Sequence, residues 1–268
     1  MLDFNHSSGL AWAADDNIKC PSFTERVSEL IDQALSAEHK AQPERDYLGA
    51  SRLGENCSLK LQYEYTNIPK DKGFSGQTLR IFAAGHVFEY LAIRWLRLAG
   101  FELFTEKPNG YQFGFSVADG RIRGHVDGII NGAPEALCLT FPMLWECKSL
   151  NAKSWKDTVK RGVSKSKPVY AAQMATYQAY MEGSVPGISK NPALFTAINK
   201  DTAELYFELV PFDASLAQKV SDRAVTILKA AEVGELLPRH TADPEHFECR
   251  FCAYRNRCWD QLIGEVLA

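Results

Sequence analysis

Chemistry in this chain can be built first from Glu146 and Lys148, in the run Trp145-Glu146-Cys147-Lys148, and from Asp127, in Gly124-His125-Val126-Asp127-Gly128. On a strand, alternate side chains share a face, so Glu146 and Lys148 point one way and Cys147 the other. If the strand that carries Asp127 pairs with this one as a hairpin, two carboxylates and an ammonium group converge. Carboxylates are the hard oxygen ligands that Mg²⁺ or Mn²⁺ requires. A metal held there polarises a phosphodiester and lowers the pKa of an attacking water. A lysine beside it orients that water or neutralises developing charge. Glu-x-Lys alone more often marks a solvated rim pair, because charged side chains mostly stay at the surface. The reading therefore rests on its companions.

Two further pairs stand at helical spacing. His86 and Glu89 in Gly85-His86-Val87-Phe88-Glu89 are one turn apart and share a face. Gln173 and Tyr177 in Gln173-Met174-Ala175-Thr176-Tyr177 are four apart and face the same way. Each pair alone also fits an ordinary polar helix face. The cysteines form another constellation. Cys249, Cys252 and Cys258 make a Cys-x2-Cys-x5-Cys run near the chain's end, with Cys57 far upstream. Thiolates bind soft metals, and Cys-x2-Cys lets two sulfurs reach one centre. Four of them can hold Zn²⁺ tetrahedrally or a 4Fe–4S cube, and spacing does not separate the two. Cys20, Cys138 and Cys147 fit no ligand spacing. The last two fall on strand positions and read as small buried hydrophobes.

The elements that must position these residues are legible as periodicity. Ser22 as N-cap with Glu25 at N3 predicts a helix over 22–37. A second helix is expected over 47–65 and a third over 79–99, where Ala84, Phe88, Leu91, Ala92, Trp95 and Ala99 recur at helical spacing. Strands are expected over 111–117, 122–130 and 138–147, separated by Asp119-Gly120 and Asn131-Gly132 turns. A polar, basic stretch, 153–167, leads to a helix over 168–181 with Pro168 at its start. Strands over 193–199 and 205–210 and a helix over 214–232 follow. Helices, a strand group, a helix and two more strands imply an α/β fold with a mixed sheet flanked by helices. The expected organisation is an N-terminal helical extension, 1–46, followed by one domain over 47–268.

Composition limits the alternatives. The chain has 268 residues, 46% of them hydrophobic and 24% charged, and a net charge of −3. That balance is globular. It is not that of a strongly basic nucleic-acid binder, so any nucleic-acid contact must use a local patch. No run of about 18 apolar residues predicts a membrane span. The N-terminus lacks the basic-then-apolar pattern of a signal peptide. A cytoplasmic setting is expected, where seven cysteines point to metal binding before disulfides.

Taken in order, Glu89, Asp127, Glu146 with Lys148, and Gln173 with Tyr177 resemble the PD-(D/E)xK nuclease superfamily in its RecB-like branch. That family carries a helical acidic residue, an Asp, a Glu-x-Lys and a later Gln-x-x-x-Tyr. The resemblance covers roughly residues 47–259. It implies a restriction-endonuclease-like mixed sheet and a Mg²⁺- or Mn²⁺-dependent DNA exonuclease. Asp127, Glu146, Lys148, Gln173 and Tyr177 would be catalytic. Glu89, Asp127 and Glu146 would hold the metal, with His86 the second choice, since the family often has His where Glu89 stands. An upstream cysteine followed distantly by Cys-x2-Cys-x5-Cys is similar to the CRISPR-associated exonucleases and related helicase–nuclease subunits. There a 4Fe–4S cluster staples the N-terminal helical region to the C-terminus, which assigns Cys57, Cys249, Cys252 and Cys258 here, with Zn²⁺ the alternative.

For DNA, single- or double-stranded at its ends, the expected contacts are Lys153, Lys156, Lys160, Arg161, Lys165 and Lys167, with Arg250, Arg255 and Arg257 near the cysteines. Trp155, Tyr170, Phe251 and Tyr254 interleave with them and suit base stacking. The resemblance implies work in recombination, repair or phage DNA processing, in a bacterial or phage-infected cytoplasm. The absence of a P-loop favours a standalone nuclease over a helicase subunit. The main alternative is a DNA-end-binding partner in a CRISPR adaptation or recombination complex, with cleavage secondary. Protein partners and a homo-oligomer are left open.

Overall fold

The computed structural model describes residues 21–261. Cys20 lies outside them. Internal contacts divide the chain into two units, whose described parts are residues 21–44 with 73–84 and residues 45–72 with 85–261. Among the described residues no helix is long and apolar enough to cross a membrane.

In the small unit, α1 (Phe23–Lys40) starts where the sequence predicts. Ser22 Oγ accepts from the Glu25 N–H and the Glu25 carboxylate accepts from the Ser22 N–H, closing a capping box. Asp32 pairs with Arg80, and the His39, Phe74 and Phe82 rings form a chain of aromatic contacts.

In the large unit, the strands are β1 (Leu48–Gly49), β2 (Glu102–Phe104), β3 (Gly114–Val117), β4 (Ile122–His125), β5 (Gly128–Gly132), β6 (Met143–Leu150), β7 (Ala193–Asn199) and β8 (Leu205–Val210). They form a three-stranded sheet in the order β1-β4-β3 and a five-stranded sheet in the order β2-β5-β6-β7-β8. The β6–β7 pair is parallel and its outer neighbours are antiparallel, so the larger sheet is mixed. The helices are α2 (Ser58–Tyr65), α3 (Gly76–Leu98, which begins in the small unit), α4 (Ala152–Arg161), α5 (Val163–Ser166), α6 (Pro168–Met181), α7 (Ala214–Glu232) and α8 (Phe247–Arg250).

The two faces of β6 bury into different cores. Met143, Trp145 and Cys147 join Ala92 and Leu96 of α3. Leu144 and Leu150 join Met174 and Met181 of α6 and Ile227 of α7. Period-two alternation thus fixes which layer each β6 side chain enters.

Three local expectations are corrected. Residues 122–130 are not one strand: the chain leaves β4 for β5 at Val126-Asp127 and changes sheet there. The helix expected over 47–65 is present only as a 3-10 turn at Ala50–Arg52 and as α2, with Cys57 as N-cap. Between them, a Cβ on Gly54 would lie 2.8 Å from Val169 Cα and 2.9 Å from Ala172 Cβ, so this stretch presses against α6. Cys138 is not on a strand; it is exposed and left-handed (φ 49) after a 3-10 turn, because β6 begins only at Met143. Cys147 is buried on β6 as expected.

The Gly54 contact is with helix backbone, which cannot rotate away. Gly54→Ala is expected to cost about 1–3 kcal/mol, read as a lower urea midpoint; an unchanged midpoint would show that the approach is not tight.

Candidate active site and cysteine cavity

The antiparallel pairing of β5 with β6 sets Gly128 opposite Trp145, which brings Asp127, one residue earlier, beside Glu146. Asp127 Oδ2 accepts the Cys147 backbone N–H at 2.8 Å and lies 3.8 Å from Lys148 Nζ. Lys148 Nζ also bonds Glu146 Oε1. Glu146 itself is fully buried. Gln173, reaching from α6, donates through Nε2 to Glu146 Oε1 at 2.6 Å. The other oxygen, Glu146 Oε2, is buried with no hydrogen-bond partner among the described residues.

Glu89 enters from α3. Burial, then repulsion from Asp127, raises its pKa, while Lys148 and His86 oppose the rise. Its carboxyl therefore shares the electrostatic neighbourhood of Asp127 and Lys148. Gly85, one turn before Glu89, faces the end of the Glu-x-Lys run: a Cβ there would make ordinary contact, 3.6 Å, with Ser149 Oγ. His86 lies 3.9 Å from Glu89 Oε2 with its side chain 83% exposed, so it flanks the carboxyl cluster from the solvent side.

The cost of this crowding shows in the protonation equilibria. Burial, reinforced by Asp127, pushes the Glu146 pKa well above the usual carboxylate range, against the pull of Lys148. For Lys148 burial works downward, but Glu146 and Asp127 outweigh it and hold the ammonium charged. Tyr177 is buried edge-on to Phe115, 5.6 Å between ring centres. Its hydroxyl is held neutral, chiefly by burial and then by Glu146. Tyr170, read from sequence only as a stacking group, also belongs here: Lys148 Nζ lies 5.5 Å from its ring centre, within cation–π range. Its place three residues before Gln173 on α6 was the available signal.

The cysteine constellation is assembled from both ends of the large unit. Cys57 at the start of α2, Cys249 on α8, Cys252 and Cys258 line one cavity of about 530 Å³, together with Lys60, Lys167 and Tyr170. Burial raises the thiol pKa of Cys249, Cys252 and Cys258, and each also feels Cys57. Protein contacts already dock the tail on this region. Tyr63 and Tyr254 rings lie 5.3 Å apart, and Gln62 bonds the Glu235 carbonyl and the Leu237 N–H.

The basic stretch is helical. Lys153, Lys156, Lys160, Arg161 and Lys165 are carried on α4 and α5, and Lys167 donates to Ser154 Oγ. Arg161 is paired with Asp157, and Arg255 with Glu245. Arg250 is exposed and Arg257 half-buried. Two stacking assignments are corrected. Trp155 packs on the core with its indole N–H bonded to the Ala197 carbonyl, and Tyr254 is 2% exposed against Tyr63. Phe251 is 83% exposed.

No protein-family model matches the chain, and no curated protein matches it. Among solved structures, one described as SSO0001 is 15% identical, covering 87% of this chain and 96% of that one, with a TM-score of 0.48. An alkaline exonuclease, LHK-Exo from Laribacter hongkongensis, is 16% identical over 77% of this chain and 93% of its own, also at 0.48. The same enzyme in complex with dAMP is 16% identical over 70% of this chain and 89% of its own, again at 0.48. Likeness at this level assigns no activity.

The buried, crowded carboxylate costs stability in the absence of a cation. Glu146→Gln keeps an oxygen for Gln173 and Lys148 and removes the charge. Because Asp127 still pairs with Lys148 and one of three like-charged carboxylates is removed, in EDTA it is expected to raise the unfolding free energy, measured by equilibrium urea unfolding. A loss of stability would mean that the ionised Glu146–Lys148 pair is a net support.

Proposed function

We propose that this protein is a Mg²⁺- or Mn²⁺-dependent deoxyribonuclease acting as an exonuclease on DNA ends. The observation that carries the reading is Glu146 Oε2, a carboxylate oxygen buried without a partner beside Asp127. Unsatisfied buried acceptors are costly. Carboxylate oxygens of Glu146 and Asp127, with Glu89 in their electrostatic neighbourhood, would make a hard-ligand set that suits Mg²⁺ or Mn²⁺. When bound, such a cation supplies charge stabilisation to a phosphodiester and activates water.

The chain's own residues do the rest. Gln173 and Lys148 hold Glu146 Oε1, which leaves Oε2 free for a ligand. The Cys147 N–H anchors Asp127 through Oδ2 and leaves Oδ1 available. Lys148 stays charged and is flanked by Tyr170, so it can orient a water or meet charge developing on phosphate. The lysines of α4 and α5 suit sequence-tolerant phosphate contact.

The four thiols fit a 4Fe–4S cluster that ties residue 57 to residues 249–258. The donor set is all-sulfur, and the sulfurs line one cavity. Burial disfavours free thiolates there, so a positive metal centre would stabilise them. The biological setting we favour is recombination, repair or phage DNA processing.

Two outcomes are expected. With Mg²⁺ or Mn²⁺, the protein releases label from end-labelled linear DNA and leaves covalently closed circles intact. Glu146→Gln and Lys148→Met each slow that release by at least about a hundredfold. Equal digestion of circles would show an endonuclease, and full activity in either variant would remove that residue from the site. Protein purified without oxygen is also expected to be brown and to carry about four irons per chain. Cys57→Ser would lose the colour and lower the thermal midpoint. A colourless protein with stoichiometric zinc would replace the cluster by a zinc site.

A further inference from the structure

We propose that His240, His246 and Glu248 form a second metal site, one that binds a divalent transition-metal ion of the zinc class. One ligand atom from each residue lies within 4.8 Å of the others. The geometry is already close to coordination. His240 Nε2 and Glu248 Oε2 are 3.4 Å apart. Two ligands at about 2.0–2.1 Å from tetrahedral zinc are separated by about 3.3 Å.

The rings of His240 and His246 are 5.4 Å apart and tilted by 72°, so both imidazoles flank one carboxylate. A simple ion pair needs only one of them. The His246 Nδ1 lone pair points at the Glu248 backbone N–H from 3.4 Å. That contact is long for a hydrogen bond, and a metal can take its place. Glu248 is oriented from behind: Asn56 Nδ2 donates to its Oε1 at 2.7 Å, which leaves Oε2 on the histidine side. An outer hydrogen bond that fixes a ligating carboxylate in this way raises metal affinity.

The donor types define the ion. Two imidazoles and one carboxylate suit Zn²⁺ and its neighbours and are poor ligands for Mg²⁺ or Ca²⁺. The site is distinct from the four thiols in its ligands, although His240 and Glu248 line the same cavity. An ion there would join residues 240, 246 and 248 immediately beside Cys249. Through Asn56 it would also brace the segment that carries Cys57. This inference does not depend on the nuclease reading.

The test uses the full chain, purified without oxygen, equilibrated with Zn²⁺ alone and freed of excess by gel filtration. Zinc and iron per chain are then measured for the wild type, His240→Ala and Glu248→Gln. His240 is exposed, so its removal spares the fold. In Glu248→Gln the amide oxygen can still accept from Asn56. Each variant is expected to carry one zinc fewer than the wild type with unchanged iron, and to bind Zn²⁺ at least about tenfold more weakly. The same difference is expected in a Glu146→Gln background. Equal zinc in the wild type and His240→Ala overturns the site. So does a loss of zinc that appears only together with loss of iron.

Discussion

Burying the Glu146 carboxylate is the constraint around which the large unit is arranged. A carboxylate taken out of water costs several kcal/mol unless its charge and lone pairs are met. Here one oxygen is met by Lys148 and Gln173, and the other by no hydrogen-bond partner among the described residues. Asp127 and Glu89 add like charge and make the burial harder. The fold holds these groups together because β6 is locked on both faces. Trp145 and Cys147 are fixed in one core and Leu144 and Leu150 in the other. Such a strand cannot twist Glu146 out to solvent without exposing both layers. Carboxylates perturbed in this way, and held by surrounding packing, cluster at functional sites.

The same logic explains the division of labour among the elements. Strand β6 supplies Glu146 and Lys148, the short connection from β4 to β5 supplies Asp127, α3 supplies Glu89, and α6 supplies Gln173, Tyr170 and Tyr177. Side chains on packed helices and strands hold geometry better than side chains on loops. The helix α6 also faces the stretch around Gly54 that leads to Cys57. One helix therefore touches both the carboxylate cluster and the segment of the cysteine cavity, and Tyr170 borders both.

Much of this was legible in the sequence because it rests on local periodicity. The period-two rule placed Glu146 and Lys148 on one face, and the i,i+4 rule placed Gln173 with Tyr177. Helix α6 and strands β7 and β8 fall where their patterns put them. What escaped was decided by tertiary contact. Residues 122–130 read as one strand, yet the chain changes sheet at Val126-Asp127, and nothing local announces it. Trp155 and Tyr254 sit among basic residues in sequence, but their rings face the core, and a core aromatic cannot be told from a stacking one without knowing its neighbours. His240, His246 and Glu248 match no familiar ligand spacing; a turn before α8 brings them together.

The central claim is that the carboxylates around Glu146 are crowded because they hold a divalent cation. Titration of the chelator-treated protein with Mn²⁺, followed by the loss of the free-ion electron paramagnetic resonance signal, tests it most directly. The account predicts that wild-type protein binds Mn²⁺ and that Glu146→Gln loses at least one equivalent. Identical titrations for the two proteins would contradict it, and the buried carboxylate would then have to be explained without a metal.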